Sequence, residues 1–600
     1  MKTEKARTTG QMQSKAKQSV KTPSWSVPFL TRMRRRSRMF FWQYRAAAKT
    51  GRALTQQMSS GNIPLIDPWK GDARQGQPLA TGIAPLAMLD DDWHDFHWLR
   101  DMREYGGQHA RTHARRYLLE WLSRHNQWDQ AIWHPMRLSS RIKSLILTWN
   151  WFGQSASESQ QMQFLTSLVM QSSCLAQDLP RISSADHRIE ALSALLLDHV
   201  FQQSDADISS LTRSLFAAVD KVILPDGCHA SRRPDRHITC LKTLHEIRYA
   251  LGMAQQRKHD QHDDREQHSH SNAKANLARA NLVRADLVRL DAVINLMGAV
   301  GRMWRLGDHG LIAMRQGLNA SQPQTDHILD KSGPRGKICQ HADHGGYIRL
   351  ASGRSVAVLN AGPSRDHLHQ QMEAGGEVDA AANALEFSFQ KQRILISGGY
   401  HYELSLSHPN LAELMQGTSA HSTLSIDMIN SSQIDSPGQY HRGQNVRQAS
   451  MTMAEVGPAS GGLLGVASHD GYLNLFGLIH ERKVFLTTGG QSLKGQDILR
   501  YTGEPGNIPT EATLRFHLHP RINASKTNNS TVLLKLPGSM ASWKFVSKNG
   551  TVSIEDSITA INGKPQRCQQ IVITVALTSI REHMEIDVSW GFMKQSKLTP

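Results

Sequence analysis

The apolar period of this chain changes once, near residue 340, and no other sequence feature limits the possible folds so sharply. Upstream, from about 92 to 255, apolar residues recur at steps of three and four. Segments 110–121, 138–152, 162–176, 188–201 and 209–222 each carry such a face, with brief polar links between them. That spacing predicts amphipathic helices packed as antiparallel hairpins. Downstream the period is two. Short alternating runs at 347–351, 355–359, 386–389, 393–397, 473–478, 483–487, 532–536, 543–546, 552–555 and 570–574 are bounded by Gly, Pro, Asn or Ser. Many short strands with turn chemistry between them predict a large antiparallel β-sandwich. The expected class is α+β and multidomain: a helical domain over 58–325, then a sandwich over 326–600.

Composition removes several alternatives. Apolar residues make up 39% of the 600 and charged residues 20%, so a sizeable core can form and global disorder is excluded. No stretch approaches about 20 uninterrupted apolar residues, so no membrane-spanning helix is expected. The five cysteines are scattered and form no CxxC pair, which excludes a disulfide scaffold and a Cys-based zinc module. The net charge of +17 is concentrated in residues 1–57, where fourteen Lys and Arg face one acid, Glu4. The remaining body is close to neutral, so no specific nucleic-acid partner is expected.

Residues 1–57 read as a basic, partly disordered tail. Within it, 25–45 mixes Arg32, Arg34, Arg35, Arg36 and Arg38 with Phe40, Phe41 and Trp42. Such a segment suits peripheral contact with an anionic membrane surface, or the first basic helix of the folded body. No cleavable signal is visible. The His-rich stretch within 255–275 reads as a solvated insertion. The five-residue repeat over 275–294 reads as a helix enlarged by local duplication, because four copies are too few to stack as a solenoid.

Seven strings make the organisation more specific: WHPMRLSSR (133–141), LPDGCHASR (224–232), GDHGLIAM (307–314), GYIRL (346–350), AHSTL (420–424), SHDGY (468–472) and RFHLHP (515–520). In this order they resemble the bacterial heparinase II/III-like family of polysaccharide lyases. The resemblance implies an incomplete (α/α) toroid followed by a β-sandwich, with a substrate cleft between them. It implies cleavage of an acidic polysaccharide, uronate-containing and sulfated or not, by β-elimination in the cell envelope or periplasm. A cytoplasmic location is the alternative that the absent signal leaves open, and the oligomeric state is open too. The competing function is a catalytically degenerate member that binds envelope glycan as a scaffold.

β-Elimination next to a uronate needs a group that discharges the carboxylate, a base for the C5 proton and an acid for the leaving oxygen. The candidates that the resemblance implies are His187, His237, His421 and Tyr472 for catalysis, with Arg137, Arg141, Arg188, Arg236 and His469 for substrate. Each also has a plain structural reading, as a helix-start histidine, a core tyrosine or an arginine paired within the helical layer. Three family positions depart from the pattern. Asp186 stands where Asn is common, Arg236 where a tyrosine precedes His237, and Ala381 where a histidine is usual. Of a structural zinc set only His421 remains, so no metal or other cofactor is expected. His517 and His519 alternate and read as one solvated strand face.

Overall fold

The computed structural model describes residues 65–595 apart from 83–90, 126, 203–207, 266–269, 316–322, 364–378, 400, 435–448, 505 and 539–540, together with 32–33, 44–51 and 54. The Arg-aromatic segment 25–45 lies almost wholly outside the described residues, as do the side chains of the His-rich stretch.

The helical half contains α1 (Ala73–Ala80), α2 (Trp98–Tyr105), α3 (Gly107–Arg124), α4 (Pro135–Phe152), α5 (Glu158–Asp178), α6 (Ala185–Phe201), α7 (Ser209–Val222), α8 (Pro234–Arg265), α9 (His270–Met303) and α10 (Pro323–Lys331). Local chemistry fixes several starts. His134 caps α4 by accepting the Met136 N–H at 3.3 Å, with Pro135 at the first helical position. Ser157 and Gln160 form a capping box on α5, and Ser184 caps α6. α2, α4, α6, α8 and α10 pack against one another in succession as an inner ring, while α3, α5, α7 and α9 lie behind them. Trp69, Trp121, Trp149, Phe152, Phe164 and Leu192 are among the residues that fill the layer between. The five-residue repeat lies in α9, as its helix propensity predicts. The expected solvated insertion differs: α8 continues to Arg265, so most of that stretch extends helices instead of forming a loop.

The second half has seventeen described strands: β1 (His341–Ala342), β2 (Tyr347–Ser352), β3 (Ser355–Asn360), β4 (Leu385–Phe389), β5 (Gln392–Ile396), β6 (Leu424–Ile426), β7 (Met451–Ala459), β8 (Gly462–Tyr472), β9 (Leu478–Thr487), β10 (Ser492–Tyr501), β11 (Glu511–Leu518), β12 (Asn523–Asn528), β13 (Thr531–Lys535), β14 (Ser542–Lys548), β15 (Thr551–Ile561), β16 (Lys564–Ala576) and β17 (Glu585–Lys594). One sheet runs β1-β2-β3-β4-β5-β11-β16-β15 with β6 beside β11; the other runs β12-β13-β14-β17-β10-β9-β8-β7. Every pairing is antiparallel, and Phe516, Phe545, Trp543, Trp590 and Phe592 contribute to the core between the sheets. Two expectations need correction. Residues 468–472, read as a turn, are the end of β8, where His469 pairs with His480. The expected strand at 473–478 begins as a helical turn, Leu473–Phe476, closed by Gly477 at φ 68°.

The two halves are clamped by arginines donating to main-chain carbonyls. Arg232 reaches Gly345 O at 2.6 Å and Asn360 Oδ1 at 2.5 Å, while the Tyr347 hydroxyl donates to Arg232 O at 2.9 Å. Arg349 donates to Met303 O and Arg305 O, both at 2.7 Å. Asp226 accepts from the N–H groups of His344 and Gly345. Glu386 accepts the Ala313 and Met314 N–H groups at 2.7 and 2.8 Å. These bonds hold the loop between α7 and α8 against the first sheet, so the ring's polar wall and the sandwich share one boundary.

Candidate functional site

Three ring helices bring five polar side chains together. α4 supplies His134 and Arg137, α6 supplies Asp186 and His187, and α8 supplies Arg236. His187 lies within electrostatic reach of Asp186 and Arg236, and His134 within reach of His187 and Arg137. All five side chains are partly exposed. Burial, then the charge of Arg236, lowers the His187 pKa against the pull of Asp186, so this imidazole is neutral at pH 7. His187 has no side-chain hydrogen bond among the described residues, which leaves its ring open to a ligand.

Asp186 is held from behind. His229 Nε2 lies 2.8 Å from Asp186 Oδ1, while its Nδ1 accepts the Ser231 N–H at 3.1 Å and lies 2.7 Å from the Ser231 hydroxyl. The main-chain donor to Nδ1 fixes the proton on Nε2, so His229 donates to Asp186. Burial alone would raise the Asp186 pKa, but His229, Arg236 and His187 outweigh it and the carboxyl titrates below its usual range. Sequence reasoning missed His229. It sits inside the quoted LPDGCHASR string, but its partner is 43 residues away, so no local spacing announces the pair.

The other candidates are interior. His237 is fully buried: Nδ1 accepts the His229 N–H at 3.3 Å and Nε2 donates to Met297 O at 2.9 Å. Burial lowers its pKa to about 3. Both nitrogens are committed to main chain, which leaves it no lone pair for a substrate proton. Arg141 shares a face with Arg137 as the spacing predicts, but it is fully buried and donates to Gln171, His94 O and Ile132 O. Its guanidinium stacks 4.8 Å from the Trp121 ring centroid, so it organises the helical core. Arg188 turns back to donate to Leu179 O at 3.1 Å.

Tyr472 and His469 lie inside the sandwich. The Tyr472 hydroxyl donates to Leu424 O at 3.2 Å. His469 Nδ1 accepts the Gly471 N–H at 3.1 Å, so Nε2 carries the proton and donates to His480 Nδ1 at 3.0 Å. His480 Nε2 in turn donates to Asp497 at 2.7 Å, and Asp497 also accepts from Arg482 and Trp590. This is a closed network: Arg482 passes on to Asn383 O and Ser422 O, bracing the strands beside it. His517 corrects the expected solvated face. It is buried, beside Ser557 Oγ at 3.0 Å and donating to Ser419 O at 2.9 Å.

His421 is also fully buried, with His517 and the Gln416 main chain nearby. Ala381 stands where the family's histidine is usual, and His421 alone does not fit a three-ligand zinc. Among the described residues one group has metal-ligand spacing: Asp186, His229 and Cys240, with donor atoms within 4.8 Å of one another. The Ser231 N–H on His229 Nδ1 opposes it, because a metal at Nε2 needs the proton on Nδ1.

Residues 334–590 match the family model described as Heparinase II/III-like, C-terminal. Residues 334–590 form a heparinase II/III-like C-terminal domain. The fold agrees with solved lyases. Heparinase III superposes at a TM-score of 0.59 with 14% identity, covering 84% of this chain and 76% of that one. A heparan sulfate lyase HepC mutant from Pedobacter heparinus gives 0.57 with 13% identity, covering 92% and 89%. Among curated proteins, FtsZ-localized protein C of Caulobacter vibrioides is 24% identical over 538 residues, covering 86% of this chain and 84% of its own. The chain therefore has the toroid-and-sandwich architecture of these solved lyases.

Proposed function

We propose that this protein is a non-eliminating member of the lyase fold, a scaffold that binds acidic envelope glycan in the groove lined by Arg137, His187 and Arg236. The carrying observation is the locked state of His237; beside it, Asp186 stands where the resemblance implies an Asn that faces the substrate carboxylate. A uronate brought to Asp186 meets a second negative charge, so its carboxylate is not discharged and the C5 proton stays weakly acidic. Arg236 replaces the hydroxyl that would carry a proton, and a guanidinium does not give one up near neutral pH. Arg137 and Arg236 can still grip carboxylate or sulfate. The Caulobacter relative, an FtsZ-localized protein, supports a scaffold that is placed beside FtsZ and holds glycan without cutting it.

The test is equilibrium binding of glucuronate oligomers to the full chain. Arg137→Ala and Arg236→Ala should each weaken binding about tenfold, the size of one charge-assisted contact. Arg335→Ala, an exposed arginine paired with Asp330, is the control and should change nothing. Equal affinity in all four proteins would remove the groove from the account.

A further inference from the structure

The ring wall carries a second charged layer, one to two turns further along the same helices. Lys143 on α4 sits 2.5 Å from Glu190 on α6 and 2.9 Å from Glu246 on α8. The remaining oxygens of those carboxylates are filled as well: Glu246 accepts the Trp69 indole N–H at 2.9 Å, and Glu190 accepts the Thr243 hydroxyl. Next to them, Asp67 takes Arg100 and Arg103, both at 2.7 Å. Lys242 is the cation of this layer that is bonded to none of Glu190, Glu246 and Asp67. It has no hydrogen bond or ion pair among the described residues, although Arg100, Glu246, Lys143 and Glu190 all lie within its electrostatic reach. Lys242 is partly exposed, and so is Ser140 of α4, whose hydroxyl pairs with the exposed His97 at 2.7 Å.

We infer that Lys242 anchors an anion-binding subsite in the ring wall, which takes a sulfate or carboxylate group of a bound glycan. Arg236 and Lys242 are six residues apart on one helix, about 9 Å along its axis and about 120° around it, so the Lys242 subsite is separate from the contact that Arg236 makes. The three carboxylates of the layer already have their donors, which leaves the Lys242 ammonium for an incoming anion. Ser140 pairs with His97, whose ring lies within electrostatic reach of Lys242. Burial, with Arg100 and Lys143 nearby, depresses the Lys242 pKa to about 8 against the pull of Glu246, as expected for an ammonium lacking its counter-ion. The identity of the ligand as glycan rests on the function proposed above; the anion site itself does not.

The experiment is limited acylation of the full chain at pH 8 by an amine-reactive reagent, with modified lysines mapped by mass spectrometry. An amine with a pKa of about 8 is half free base there, against under about 1% for an ordinary lysine. Lys242 should therefore label at least about tenfold faster than the exposed Lys535. Inorganic sulfate should slow Lys242 about tenfold for each pKa unit it adds and leave Lys535 unchanged. Glucuronate oligomers form the second arm: protection by sulfate alone keeps the subsite but removes glycan as its source. Lys242→Gln should abolish the rise in melting temperature that sulfate gives the native chain, and Lys242→Arg should retain it. Lys242 labelling that sulfate does not slow, or an undiminished sulfate effect in Lys242→Gln, overturns the subsite.

Discussion

Replacing Asp186 by Asn probes the groove most sharply, because it changes one charge and almost no volume. In the native chain the carboxylate is kept ionised by the His229 Nε2–H at 2.8 Å and by the nearby charges, despite burial. An Asn oxygen can accept the same bond, so the fold should survive with a loss of about 1 kcal/mol for exchanging a charge-assisted bond for a neutral one. The gain appears on the ligand. Two carboxylates about 5 Å apart in a half-buried wall repel by roughly 1–3 kcal/mol, for an effective dielectric constant between that of water and about 20. Asp186→Asn should therefore bind glucuronate oligomers about tenfold more tightly, by titration calorimetry at about 0.1 M salt. Neutral oligosaccharides should show no such gain. If the folded Asn variant binds uronates no better than the native chain, Asp186 does not face the ligand acid and the electrostatic reasoning fails.

Other outcomes follow from the interior. Asp497→Ala strands the buried Arg482 cation and should cost about 3–5 kcal/mol, read from chemical denaturation, with Asp497→Asn milder. The Asp497 pKa is held down to about 2 by Arg482 and His480 although burial opposes this, so its contribution is present above about pH 4 and is lost as the pH falls through about 2. Glu386 behaves in the opposite sense. Burial raises its pKa to about 7 in spite of Arg393, so its contribution to stability should fall as pH rises from about 4.5 to 7, and Glu386→Gln should flatten that slope in a pH series of melting temperatures. His237→Ala should lower the melting temperature while leaving glycan affinity within about twofold, since its ring bonds only to main chain. A large loss of affinity in a well-folded His237→Ala protein would return that residue to the groove.

The architecture was legible because periodicity reports burial directly. Segments read at 138–152, 188–201 and 209–222 correspond to α4, α6 and α7, and the starts of the first two are set by the caps His134 and Ser184. The exception at 473–478 is instructive: alternating Leu, Asn, Leu and Phe satisfy a strand pattern, but Gly477 at a positive φ closes a helical turn there. The site was legible only in part. Arg137, His187 and Arg236 come from different helices, and their convergence depends on how the ring closes. Arg137 and Arg141 share a helix face, yet Arg141 is fully buried, with its guanidinium beside the Trp121 and Trp133 rings, while Arg137 is partly exposed. Sequence supplies the residue types of His237, Tyr472 and His469 but not the carbonyls and amides that occupy them. The carbonyls that accept from His237 and Tyr472 lie 60 and 48 residues away, and the His480 ring that accepts from His469 lies 11 away.

The most direct measurement is ultraviolet absorbance of unsaturated uronate during prolonged incubation of the purified full chain with a panel of uronate and sulfated uronate polymers, run beside binding titrations on the same samples. Saturable binding with no growth of absorbance is the expected result. A steady rise on any polymer, abolished by His187→Ala in a protein that still folds and binds, would contradict the account and make the groove an active lyase site.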